Sequence, residues 1–228
     1  LGKRTRWLAP ALAPWAALPA FALAAWAGPD ATVEADVLLL GTRLVVDDAA
    51  RAFLLFTALL WTAAGVSASS DLAGDPARHR FFVFHALTLA GNLGLTIAGD
   101  VASFYLFFAV MTFAAYGLIV HRGTPAAARA GRVYLILAIA GEAMLLAGIL
   151  LAVSAADGID FAELWRVADG PQRDLAIGLL LAGFGVKAGA LPLHVWLPLA
   201  HPVAPTPASA VLSGALIKAG VLGWLRFL

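Results

Sequence analysis

Seven apolar windows, residues 7–27, 52–67, 81–98, 101–120, 133–153, 175–197 and 205–228, leave this chain few folds to choose from. A helix needs roughly 17–25 residues to cross a hydrocarbon core of about 30 Å, and every window but the short second one meets that length. Inside lipid a backbone must satisfy its own hydrogen bonds, so repeated windows of this kind predict helices packed as a bundle. Composition agrees, with 62% of residues hydrophobic and 13% charged against about a quarter charged in soluble proteins. The expected fold is all-α: one polytopic transmembrane domain over 1–228, with about seven crossings and one broken helix.

Charge divides the polar connections into two sets. Lys3, Arg4, Arg6, Arg78, Arg80, Arg122, Arg129 and Arg132 fall at one set of window ends. Asp30, Glu34, Asp36, Asp47, Asp48, Asp100, Asp157, Asp160, Glu163 and Asp169 fall at the other. The positive-inside bias puts the basic set in the cytoplasm, as for a protein of the bacterial inner membrane. Residues 28–50 then form an extracytoplasmic loop, and the glycine in VLLLGTRLVV, residues 37–46, predicts a small hairpin there. The first window has the basic start of a secretory signal, but six more windows favour an uncleaved crossing. The chain begins at Leu1 and stops at Leu228 inside an apolar run, and reads as a fragment of a longer protein.

With no cysteine, disulfides, thiolate chemistry and cysteine-held zinc or iron–sulfur centres are excluded. No two histidines share a helix face at ligand spacing, so no metal site is expected. No cofactor site, no catalytic or redox site and no nucleic-acid partner is expected either.

The residues that carry chemistry are the ionisable ones in the apolar windows. At about 1.5 Å per residue, Glu142 lies roughly 15 Å from Arg132, Lys187 roughly 18 Å from Leu175 and Lys218 roughly 20 Å from Pro205, all near mid-membrane. A charge at that depth needs a partner, water or a task. Burial disfavours the charged form of each group and pairing favours it, so a changing carboxylate–lysine distance can move a proton. The expectation is a lateral ion path along Glu142, Lys187 and Lys218; the plainer alternative is one structural ion pair with the other lysine reaching for the interface. Pro192, five residues after Lys187, predicts a broken helix beside the lysine, a feature common at membrane ion sites. Gly185 and Gly189 flank Lys187 at a spacing that admits a close neighbouring helix. His194 and His201 bracket the bend and His85 sits about one turn into its crossing, three candidates for proton relay. Asn92, Ser209 and Ser213 are candidates for interhelical hydrogen bonds or for holding water.

The stretch GFGVKAGALPLHVWLPLAHPVAPTPASAVLSGALIKAGVLGWLRF, residues 183–227, resembles the antiporter-like subunits of respiratory complex I, membrane-bound hydrogenases and Mrp-type cation/proton antiporters. Weaker similarity runs back through LAGNLGLTIAGDVASFYLFF to about Phe81. The resemblance implies a bundle of about fourteen helices in two inverted repeats, of which this chain would be approximately the first. It also implies Lys187 as the central pumping lysine, Lys218 as the next member of a hydrophilic axis, and other membrane subunits as partners. One departure stands out: the family pattern FYLFWE reads FYLFFA here, with Ala109 in place of the glutamate, and Glu142 on the next crossing is a candidate substitute. Three readings remain open at this stage. One is a proton- or sodium-translocating subunit of an NADH:quinone oxidoreductase-like or hydrogenase-like complex, another is an Mrp-type antiporter subunit without electron transfer, and the third is a non-pumping scaffold.

Overall fold

The computed structural model describes residues 8–28, 31–35, 41–156, 158–164 and 169–228. Lys3, Arg4, Arg6, Asp30, Asp36, Asp157 and the first arm expected for the hairpin, 37–40, lie outside the described residues. The first window is divided into α1 (Leu8–Leu12), a 3-10 turn (Ala13–Trp15) and α2 (Leu18–Trp26). Pro14 and Pro19 open the second and third pieces, because proline cannot continue a preceding helix. Where one crossing is expected from sequence, the apolar segment Pro10–Trp26 is therefore shorter than the six spanning helices that follow.

A two-stranded antiparallel sheet comes next: β1 (Ala31–Ala35) pairs with β2 (Thr42–Val46), Ala31 opposite Val46 and Ala35 opposite Thr42. Then follow α3 (Asp48–Asp71), α4 (Arg78–Ile97), α5 (Val101–Ile119), α6 (Pro125–Val153), the short α7 (Phe161–Leu164), α8 (Pro171–Ala188), α9 (Trp196–Ala200), α10 (Thr206–Val211) and α11 (Ile217–Phe227). A π-helical turn, Leu212–Leu216, joins α10 to α11. Among the described residues, six segments are long and apolar enough to cross a membrane: α3, α4, α5, α6, α8 with α9, and α10 through α11.

Helix starts follow local chemistry. The carboxylates of Asp47 and Asp100 accept from the backbone N–H of Ala50 and Ser103, and the Thr124 hydroxyl from that of Ala127, at 2.7, 2.8 and 3.1 Å. Each satisfies one of the donors that a helix N-terminus leaves over. Helices then pack where glycine removes bulk. A Cβ on Gly91 would lie 2.5 Å from the Met111 nitrogen, and one on Gly220 2.6 Å from that of Ala188, so α4–α5 and α8–α11 touch backbone to backbone.

Aromatic rings fill the interior between α5, α8 and α11. Phe104 and Phe227 meet at 5.2 Å, Phe184 and Phe227 at 5.2 Å, and Phe108 and Phe184 at 5.6 Å, within the range in which tilted rings attract. At the acidic end the sheet is tied to the bundle by Arg43. Its N–H donates to Asp100 at 2.9 Å, its guanidinium to the Gly99 carbonyl at 3.0 Å, and it pairs with Asp160 at 3.2 Å. Arg226, near the end of α11, forms a two-pronged pair with Asp47 at the start of α3.

Candidate ion-translocation site

The break in α8 places the central lysine. Gly189 adopts a left-handed conformation, φ +70°, which only glycine adopts without a steric penalty. The helix ends there, three residues before Pro192, and the chain turns through a 3-10 segment (Leu193–Val195) before resuming as α9. The freed carbonyls are re-satisfied: Gly185 accepts from the Ala190 N–H at 2.9 Å and Val186 from the Trp196 indole at 2.8 Å. The break therefore lies beside Lys187, as the sequence suggests, but glycine rather than proline makes it. Gly189 serves this turn, while the close neighbour of α8 enters at Gly220.

Lys187 and Glu142 are each only 5% exposed, and both line one small cavity with Phe108, Thr112, Tyr134 and Trp196. Lys187 Nζ donates to the Tyr134 hydroxyl at 3.2 Å, and that hydroxyl donates to the Thr112 carbonyl at 2.7 Å. The ammonium also sits 5.5 Å from the centre of the Phe108 ring and 5.4 Å from that of Tyr134, inside the range where a ring face attracts a cation. Among the described residues, no group meets hydrogen-bond geometry with either buried Glu142 carboxylate oxygen or with the buried Thr112 hydroxyl, although Lys187 and the Thr112 side chain both act on that carboxylate. Lysine is thus held by an aromatic cradle and a phenol, while the acid across the cavity lies near both Lys187 and Thr112 without a closed ion pair.

The other expected residues are placed differently. Lys218 is exposed: on α11 the inward positions are Ala219, Gly220, Leu222, Gly223 and Phe227, and Lys218 is not among the residues lining the cavity. Of the expected three-residue axis, the fold brings Glu142 and Lys187 together and leaves Lys218 on a surface. His194 is half-buried in the 3-10 turn, its Nδ1 without a partner. His201 Nδ1 lies 2.8 Å from the Ser209 hydroxyl, and burial holds its imidazole below the ordinary value of 6.5. His85 is fully buried among aromatic rings. Ala109 is half-buried and its neighbours Phe108 and Thr112 line the cavity.

Tyr134, Thr112 and Phe108 are the site residues that reading the sequence missed. A signal for Tyr134 exists: Tyr134, Ala138, Gly141, Glu142 and Leu145 are all buried at the spacing of one helical face. The tyrosine therefore lies two turns before the acid on the same face.

A family model described as NADH:quinone oxidoreductase/Mrp antiporter, transmembrane, matches residues 98–228. Hydrogenase-4 component B of Escherichia coli (strain K12) is 34% identical over 144 residues, 63% of this chain and 21% of that protein. NADH-quinone oxidoreductase subunit N of Desulforudis audaxviator (strain MP104C) is 31% identical over 194 residues, 82% of this chain and 38% of that protein. Among solved structures, the Mrp complex from Dietzia sp. DQ12-45-1b superimposes with a TM-score of 0.76 at 22% identity, over 96% of this chain and 42% of the matched one, a likeness of fold. The chain thus spans well under half the length of these relatives. The matched region begins before α5 and takes in the broken α8, Glu142 and Lys187, and on that match this integral membrane chain belongs to the NADH:quinone oxidoreductase/Mrp antiporter transmembrane family.

Proposed function

We propose that this chain is part of a membrane subunit that moves protons across a bacterial inner membrane within a multisubunit complex of the NADH:quinone oxidoreductase or membrane-hydrogenase kind, with Glu142 and Lys187 as its exchange pair. The observation that carries this reading is a cavity shared by a buried lysine and a buried carboxylate that do not saturate one another. Two opposite charges in a low-dielectric site attract strongly at contact and are each costly apart. A small change in their separation therefore decides whether the proton stays on the lysine or passes to the acid or to water. The break in α8 after Lys187 supplies a joint at which that separation can change.

Tyr134 defines one end of this motion. Its hydroxyl accepts from the lysine Nζ and its ring lies beneath it, so the lysine is held by an acceptor other than the acid. Glu142, beside Lys187 and Thr112, can take a proton arriving from one side or draw the lysine toward it. Lys218 carries the path onward in this reading, to a surface that further membrane helices cover.

A second reading, a non-pumping scaffold, is favoured by Ala109, which stands where the family pattern has a glutamate. Proton translocation by the full-length parent complex in proteoliposomes separates the two. Lys187→Ala and Glu142→Gln are expected to abolish translocation with assembly intact; unchanged translocation in both leaves the scaffold.

A further inference from the structure

Away from the cavity, at the basic end of the bundle, two buried histidines flank one phenylalanine. His121, just past α5, points Nε2 at the Asp75 carboxylate at 2.9 Å, and Asp75 is 28% exposed along its side chain. The His121 ring packs edge-on to Phe81 at 5.2 Å. On the other side, Phe81 lies 5.9 Å from the ring of His85, which is enclosed further by Trp61 at 4.8 Å and Phe82 at 6.0 Å. His85 is 0% exposed, and among the described residues neither of its nitrogens has a hydrogen-bond partner; nor does His121 Nδ1.

Packing alone does not account for His85, because a phenylalanine would fill the same aromatic box without burying polar atoms. A neutral imidazole has one donor and one acceptor. The Trp61 ring face can receive the donor, but the acceptor nitrogen needs a proton source. The Trp61 indole N–H is not one, because it is committed to Asn92 Oδ1 at 2.9 Å. An imidazole with neither nitrogen paired and a second with one nitrogen free, packed against one ring and joined to the surface by a half-buried carboxylate, are polar groups that a buried water would satisfy.

The polar line continues inward. His85, Thr88, Asn92 and Thr96 are all buried on α4, at the spacing of one face. Asn92 Nδ2 reaches Met111 Sδ at 3.4 Å. The next residue on α5, Thr112, lines the Glu142–Lys187 cavity.

We infer that Asp75, His121 and His85 form a hydrated proton port at the basic end of the bundle, with Phe81 between the two imidazoles, which feeds the Glu142–Lys187 cavity past Asn92 and Thr112. Each imidazole accepts a proton at one ring nitrogen and releases one from the other, so the ring is regenerated after its tautomer resets. Asn92 and Thr112 hold the intervening water. Arg80, which donates to the His121 carbonyl at 2.7 Å, fixes the mouth without entering the line. The port rests on the translocation reading given above.

Two measurements on the full-length parent complex test it. Millisecond hydroxyl-radical labelling, which modifies buried side chains only where water is bound beside them, is expected to mark His85, Phe81 and Trp61. Absence of label there overturns the port whether or not the complex translocates. Proton translocation in proteoliposomes is expected to fall at least tenfold in His85→Phe, which fills the box without ring nitrogens, and less in His85→Gln, which keeps polar atoms. A native rate in an assembled His85→Phe complex, with Lys187→Ala inactive, overturns the port and leaves the exchange pair standing. Label without translocation in the native complex overturns the translocation reading and the port with it.

Discussion

Asp100 and Glu142 are buried to nearly the same degree, 2% and 5% exposed, yet their surroundings are opposite. Asp100, at a helix end, accepts from the backbone N–H groups of Ser103 and Arg43. Glu142, midway along α6, meets hydrogen-bond geometry with no backbone N–H or side chain among the described residues. The same contrast holds for the cations. Arg43 and Arg226 are tied to Asp160 and Asp47, whereas Lys187 holds the Tyr134 hydroxyl and lies over the rings of Tyr134 and Phe108. Burial raises the carboxyl of Asp47, but the Arg226 pair and the Ala50 N–H outweigh it and hold the group below 3.8. Charges that fix the frame are closed into ion pairs, and charges in the middle are left with a choice of partner.

The largest expected effect tests that division directly. Lys187→Ala or Glu142→Gln should remove proton uptake in proteoliposomes while leaving complex assembly near native, since neither side chain anchors a helix end. Asp100→Ala should do the reverse. Losing the α5 cap and the acceptor for Arg43 should cost about 1–3 kcal/mol of stability, with uptake per assembled complex unchanged. An assembled Asp100→Ala complex that cannot translocate would break the comparison.

Tyr134→Phe sharpens it, because the ring stays beneath Lys187 and only the hydroxyl is lost. A net hydrogen bond to a charged group is worth about 1.5–3 kcal/mol, so a tenfold or greater change in translocation rate is expected, together with some loss of thermal stability because the hydroxyl also donates to the Thr112 carbonyl. Gly220→Ala should destabilise by about 1–3 kcal/mol through overpacking against α8, read out as lower thermal stability.

The smallest expected effect concerns the bend after α9. Burial holds the folded value of His201 below 6.5, so the folded state binds fewer protons than the unfolded one. Its contribution to stability is therefore complete above about 6.5 and is lost as pH falls through that value toward the folded one. Amide exchange over residues 196–209, corrected for intrinsic pH dependence, should lose protection below that pH; constant protection would show that the Ser209 contact does not depend on the neutral ring.

Much of this was legible without coordinates. The crossings from α3 onward follow from apolar length, and a break beside Lys187 from Pro192, whereas the left-handed turn at Gly189 that ends α8 reads in the sequence only as helix packing. The division of α1 from α2 was less visible, because a window average ignores where Pro14 and Pro19 stand within it. Depth along each helix put Glu142, Lys187 and Lys218 at one level, and depth is a one-dimensional quantity. Which way each residue faces is not, and rotation about the α11 axis turned Lys218 outward while Ala219 and Gly220 turned in.

By itself, then, the sequence determined a membrane-spanning helical bundle with ionisable groups at its centre, since hydrocarbon thickness and backbone hydrogen bonding admit no other use of such windows. Only tertiary structure decided that Tyr134 and Phe108 cradle Lys187, that Glu142 shares its cavity with Lys187 and Thr112, and that His85 and His121 share a phenylalanine. Those relations depend on the mutual rotation of α4, α5, α6 and α8, set by backbone contacts at residues such as Gly91 and by aromatic packing across helices far apart in the chain.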